Sequence, residues 1–243
     1  MRSAASSAAP RQRGILVPIV DLSRELSHKE PINPGAVPPQ VWVWRTHEET
    51  RPLHTNGFSS TTRLLVFPDH TSTHVDAPRH FDPDPAAMDI AAVPLDWFYG
   101  PAVCLDVRAV RRDGWIDPDD LRQACARDGL TIQRGDIVLL CSGHHRRTYP
   151  SSQFFTDYPG LTPDAVRWLH GEGVRNFGVE GPNPGHPQDR NFEVHLVCRQ
   201  LGMIHMEGLA NLEETVGRRF TFCGFPLRIR DGTGSPIRAV AIL

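Results

Sequence analysis

The chain has no CxxC pair, and its five cysteines, Cys104, Cys125, Cys141, Cys198 and Cys223, are scattered and odd in number. That pattern excludes a disulfide framework and reads as reduced, mostly buried thiols in a cytoplasmic protein. No run of about 18 apolar residues is present to span a bilayer, and the opening MRSAASSAAPRQRG lacks a signal peptide's apolar stretch. Residues 1–13 are therefore expected to form a disordered tail ahead of one domain over residues 14–243. Charge of a single sign is also missing: 26 basic residues stand against 28 acidic ones with no block of like charge, so neither nucleic acid nor a membrane surface is an expected partner. A small molecule is. There is no GxSxG elbow, no internal repeat, and the glycines of GPNPGHP lack the strand-to-helix context of a phosphate loop.

What is present is an α/β pattern, a single mixed domain with a β-rich N-terminal third. GILVPIVDLS, QVWVWRTH and TTRLLVFPDH read as extended segments separated by proline-rich connectors that break helices. From AVCLDV onward, strands alternate with helices. DPDDLRQACARDG starts on Asp117 as N-cap with Pro118 at the first helical position and stops at Gly129; TPDAVRWLHGEG starts on Thr162 and Pro163; NFEVHLVCRQLG closes at Gly202. DIVLLCS, NFGVEG, MIHMEGL, RFTFCGFPLRI and SPIRAVAIL read as strands.

The chemistry concentrates in His70 to Asp82, HTSTHVDAPRHFD, which holds three of the chain's 12 histidines. His70, His74, Asp76 and His80 sit at even spacings, which an extended chain aims at one face. A fully extended path would put the His70 and His74 Cα atoms roughly 13 Å apart, so the small residues TST must turn the chain back. Pro78 argues against a helix. Two imidazoles and a carboxylate with open positions are the ligand type of a catalytic zinc or manganese site, with His80 as a proton shuttle.

This stretch resembles HxGTHxDxPxHF, the signature of the cyclase family of metal-dependent hydrolases, which includes bacterial kynurenine formamidase and isatin hydrolase. The similarity continues through VDLSRELS, GPAVCLDV, GDIVLLCSG, PGLTPDAVRWL, FGVEGPNP, HMEGLANLEE and FPLRIRDGTGSPIRAVAIL. The resemblance implies a swivelling β/β/α fold and a homodimer or homotetramer. It implies metal binding by His70, His74 and Asp76, with His195 and Glu207 completing a site for a second ion or, where a single ion is bound, orienting water or substrate, so that one or two Zn2+ or Mn2+ ions are expected per subunit. It implies proton transfer by His80. The expected activity is hydrolysis of the C–N bond of a small amide, lactam or N-formyl compound by a metal-bound hydroxide. A biosynthetic cyclase or lactone hydrolase would keep the same metal set, and a non-catalytic metal-binding or ligand-binding protein is the alternative outside enzymes.

Three departures bear on specificity. Ser72 replaces the family's glycine and is acceptable only where the backbone needs no positive φ. The segment from Ser142 to His145 replaces a Thr-Gly-Trp, and Glu180 replaces an aspartate. His144 and His145 are expected in a solvated loop, Trp42 and Trp44 in a strand that packs its aromatics, and His205, between apolar Ile204 and Met206, in a structural role. Cys141, closing an apolar strand, reads as an inert buried thiol.

Overall fold

A computed structural model describes residues 17–28, 31–33 and 35–243; residues 1–13, read from sequence as a tail, lie outside these. The chain runs through β1 (Ile19–Asp21), β2 (Gln40–Arg45), α1 (His47–Thr50), β3 (Thr62–Val66), β4 (His74–Asp76), α2 (Pro78–Phe81), β5 (Tyr99–Asp106) and β6 (Trp115–Ile116). It continues through α3 (Pro118–Asp128), β7 (Ile137–Cys141), α4 (His144–Thr148), β8 (Gly160–Leu161), α5 (Pro163–Gly171) and β9 (Asn176–Val179). It ends with α6 (Glu193–Leu201), β10 (Ile204–Glu207), β11 (Arg219–Cys223), β12 (Gly234–Pro236) and β13 (Val240–Ile242). Among the described residues no helix is long and apolar enough to cross a membrane.

The helices start and stop where their capping residues dictate. Asp117 Oδ1 accepts from the backbone of Asp119 and Asp120 at 2.8 and 3.1 Å, and Asp120 returns a bond to Asp117 N, so α3 begins on a reciprocal capping box with Pro118 behind it. Gly129 and Gly202 end α3 and α6 in the left-handed region, at φ 62° and 64°. Pro78 corrects the sequence reading: it is the first residue of α2, a position whose N–H has no intrahelical acceptor, so proline begins a turn there at no cost in hydrogen bonding.

Nine strands form one sheet in the order β1-β13-β11-β5-β7-β9-β10-β4-β12. Its centre, β5, β7, β9 and β10, is parallel and its flanks are antiparallel. A parallel centre demands cover on both faces, and β7 provides for it: Ile137, Leu139 and Cys141 enter one core, while Val138 and Leu140 enter the other. The second core is closed by α3, α5 and α6 through Leu121, Val166, Leu169, Val194 and Val197. The first is closed by the sheet itself, because Val20 and Ala241 from one flank and Val75 from the opposite flank join Met206 of β10 in a single cluster.

The segment SPIRAVAIL, expected as one strand, is two. β12 pairs with β4 and β13 pairs with β1 and β11, and only residues 237–239 separate them. Three residues reach only about 10–14 Å even when extended, so the two edges of the sheet lie close and the sheet is curled.

β2 and β3 stand apart as a two-stranded antiparallel hairpin. Trp42 and Trp44 do not pack their aromatics into the core as expected; they are 48% and 66% exposed, and Leu64, which pairs with Trp42, is exposed together with its neighbours Leu65 and Val66.

Candidate metal centre

The cluster is assembled by strand register. β4 and β10 are antiparallel with His74 opposite Glu207 and Asp76 opposite His205. Directly opposed residues share a face, so all four side chains point the same way, while Val75 and Met206 turn into the core behind them. Asp76 is the hub, 1% exposed. His74 Nε2 lies 3.3 Å from Asp76 Oδ1 and 3.5 Å from Glu207 Oε2. His205 Nε2 lies 3.2 Å from Asp76 Oδ2 and 3.3 Å from Glu207 Oε1. His205 is thus a site residue that the sequence reading set aside, although its two-residue spacing from Glu207 on a strand is the same signal that pairs His74 with Asp76.

His70 reaches the hub by a turn. Ser72, at its centre, has φ 59°, so this position does need the left-handed backbone that serine adopts at a cost of roughly 1 kcal/mol. The Ser72 hydroxyl, placed 3.3 Å from Arg24 O and 3.2 Å from Glu25 O, ties the turn down. The Ser72 carbonyl meets His74 Nδ1 at 3.1 Å, which leaves His74 Nε2 facing the carboxylates.

His70 Nδ1 comes to 2.7 Å from Asp76 Oδ1, and its Nε2 to 2.9 Å from Thr233 Oγ1. Thr233 gives its one hydroxyl proton to Asp69 Oδ2 at 2.7 Å, so Oγ1 must accept from His70 Nε2–H. In neutral His70 that directs the Nδ1 lone pair at a carboxylate oxygen. Two acceptors facing each other require a cation between or upon them, either a proton on the imidazole or a metal ion.

α2 and α6 supply the remaining histidines. His80 Nε2 is 3.6 Å from Asp76 Oδ2, with its side chain 38% exposed. His195, in the first turn of α6, has Nε2 at 3.8 Å from Asp76 Oδ2 and 3.9 Å from Glu207 Oε1. Asp82, the second aspartate of the opening cluster, instead pairs with Arg199 on α6 at 3.1 Å, linking the two helices that present these imidazoles.

Burial alone would raise the Asp76 pKa, but the charge of His205 and hydrogen bonds from the surrounding imidazoles hold it well below the carboxylate range. Burial pushes His195 down to about 3, aided by the charge of His205, and keeps one imidazole lone pair available. His80 is also lowered, by burial first and then by neighbouring imidazoles, against the pull of Asp76.

The residues fit a divalent cation. The set is imidazole nitrogen and carboxylate oxygen, the borderline donors of zinc and manganese. His195 Nδ1 and both nitrogens of His205 are buried without a hydrogen-bond partner. One donor atom from each of Asp76, His195, His205 and Glu207 lies within 4.8 Å of every other.

The cluster opens into a cavity of about 490 Å³. Ile32, Val37, Pro39, Phe155 and Phe192 give it an apolar wall, and Arg24 brings a cation to it. Behind the wall lie two of the departures. His144 is not in a solvated loop; it is fully buried at the start of α4, and burial lowers it to about 4. Glu180, following β9, accepts from Ser142 N at 2.7 Å, Ser142 Oγ at 2.8 Å and His144 N at 3.1 Å through one carboxylate oxygen. A longer acid at this position therefore pins the β7–α4 turn.

Known proteins share this architecture. The family model described as "Putative cyclase" matches residues 20–186. The kynurenine formamidase of Salinibacter ruber is 28% identical over 224 residues, covering 91% of this chain and 96% of its own length. That of Erythrobacter litoralis is 26% identical over 223 residues, covering 91% and 92%. Isatin hydrolase A from Ralstonia solanacearum superposes with a TM-score of 0.79 at 25% identity, over 96% of this chain and 99% of that one. An isatin hydrolase bound to the product analogue thioisatinate superposes with a TM-score of 0.81 at 22% identity, over 93% and 92%. Because the family model spans well over half of it, the chain belongs to the cyclase family.

Proposed function

We propose that the enzyme hydrolyses the C–N bond of a small amide, lactam or N-formyl compound with an aromatic portion, using Zn2+ or Mn2+. The observation that carries this reading is the convergence of His70, His74, Asp76, His195 and Glu207 on one point of the cavity. The kynurenine formamidase and isatin hydrolase relatives support the substrate class, and the apolar wall suits an aryl group. An ion bound there supplies a Lewis acid and brings the pKa of a bound water towards neutrality.

The chain's own residues do the rest. Asp76 and Glu207 offer anionic oxygens on both sides of the cluster, and the Ser72 carbonyl and Thr233 hydroxyl fix the rings of His74 and His70. His80 is the cluster's most accessible imidazole, on the cavity side, where Nε2 would take the proton that the attacking water gives up and pass it to the departing nitrogen. The apolar wall excludes bulk water from the carbonyl.

The free thiols support a cytoplasmic location. The exposed apolar face of the β2–β3 hairpin supports a homodimer or homotetramer, since a monomer would leave two tryptophans and three aliphatic side chains in water. The test is metal analysis combined with turnover of N-formylkynurenine and isatin-like amides. His74→Ala and Asp76→Ala are expected to lose at least 100-fold in kcat/KM; undiminished turnover in either, or in metal-stripped protein, would sink the proposal.

A further inference from the structure

One donor placed as well for a metal ion as His74 is a residue that family resemblance does not assign. We propose that His205 is a metal ligand, its Nε2 joining Asp76 Oδ2 and Glu207 Oε1 around the ion nearest β10; this rests on the metal-hydrolase reading above. Donors held at about 2.0–2.2 Å in a tetrahedron lie about 3.3–3.6 Å from one another. His205 Nε2 stands 3.2 and 3.3 Å from the two carboxylate oxygens, whereas His195 Nε2 stands 3.8 and 3.9 Å from the same pair.

The surroundings of the ring support this. His205 is fully buried, and its Nε2 faces two carboxylate oxygens at ion-pair distance without a well-aligned hydrogen bond to either, an arrangement that a cation among the three atoms would complete. Phe81 stacks on the ring at 5.8 Å and 16°, and His195 meets it edge-on at 4.8 Å and 89°. Packing thus fixes the ring plane, and the cross-strand pairing with Asp76 fixes its direction. With His195 included, the β10 side of the cluster offers two nitrogens and two oxygens, the closed four-donor set of a non-exchanging site. The open positions then belong to the His70 and His74 side.

The test compares purified wild type with His205→Phe, which keeps a stacking ring and removes the donor. Both are equilibrated with buffered Zn2+, and ions per chain, Kd by chelator competition and the imidazole count by zinc X-ray absorption are measured. The expected result is a folded variant that has lost an ion or binds it at least tenfold more weakly, with one fewer imidazole around that ion. Unchanged stoichiometry, a Kd within twofold and the same imidazole count would overturn the assignment of His205 while leaving the hydrolase reading intact. If wild type itself took up neither Zn2+ nor Mn2+, the hydrolase reading would fall, and this assignment with it. Should His205→Phe not fold, His205→Gln is measured against the same criteria.

Discussion

Glu180 gives the most quantitative prediction because its environment opposes its charge. It is completely buried; one oxygen accepts three hydrogen bonds and the other has no partner. Its carboxyl shares a cluster with Cys141 and Glu213, where the thiol offers no positive charge and the second carboxylate repels. Burial outweighs the hydrogen bonds and pushes the carboxyl from 4.5 up to about 7. An acid whose pKa is raised by folding binds more protons folded than unfolded between those two values, so its contribution to stability is full below pH 4.5 and is lost as pH rises through 7. A gap of about two and a half pH units, at 1.36 kcal/mol each, is about 3 kcal/mol. Glu180→Gln keeps an oxygen for the three donors and cannot ionise. The unfolding free energy of Glu180→Gln minus that of wild type, from urea titrations at steps across pH 4.5–8, should therefore climb by about 3 kcal/mol. Titrations common to both proteins cancel in the difference. A flat difference across the range would show that Glu180 is not held protonated and refute the reasoning.

Other changes test other parts of the structure. Gly234→Ala would place a Cβ 2.7 Å from His70 Cε1 and 2.8 Å from Val75 O, so it should displace the His70 ring; metal affinity and kcat/KM are expected to fall together, and stability by about 1–3 kcal/mol. Thr233→Val removes the acceptor that orients His70 and should weaken metal binding about 10–100-fold, read by chelator competition, with little loss of fold. Leu139→Ala opens a cavity in a fully buried strand and should cost about 2–5 kcal/mol in thermal unfolding without altering KM. Trp42→Ser combined with Trp44→Ser should lower the apparent mass on size-exclusion chromatography and leave the far-ultraviolet circular dichroism unchanged.

Much of the fold was legible because local signals and global packing agree. Asp117, Thr162, Gly129 and Gly202 act where capping chemistry places them, and the apolar runs of β5, β7 and β9 became buried parallel strands. Two readings failed because local rules have positional exceptions: Pro78 is tolerated at the first helical position, and Ser72 occupies a left-handed backbone stabilised by distant carbonyls. His144 and His205 were illegible for a different reason. Whether a histidine faces water or a carboxylate depends on which strands pair, and the register that sets His205 opposite Asp76 joins positions 129 residues apart. The roles of Asp69 and Thr233 left no local trace, since they act on His70 through a contact that exists only once β12 has docked.

The three-residue span between β12 and β13 has a consequence for how the molecule breathes. β12 is hydrogen-bonded to the strand carrying His74 and Asp76, and β13 to both β1 and β11 on the other flank, so residues 234–242 act as a clasp across the two flanks of the curled sheet. Releasing that clasp frees Thr233 from His70 in the same motion. In native-state hydrogen exchange the amides of β12 and β4 should open as one cooperative unit, and an ion bound at the histidines should slow exchange in the distant β13 as well. Occupancy of the centre would then be readable from a strand that contributes none of its ligands.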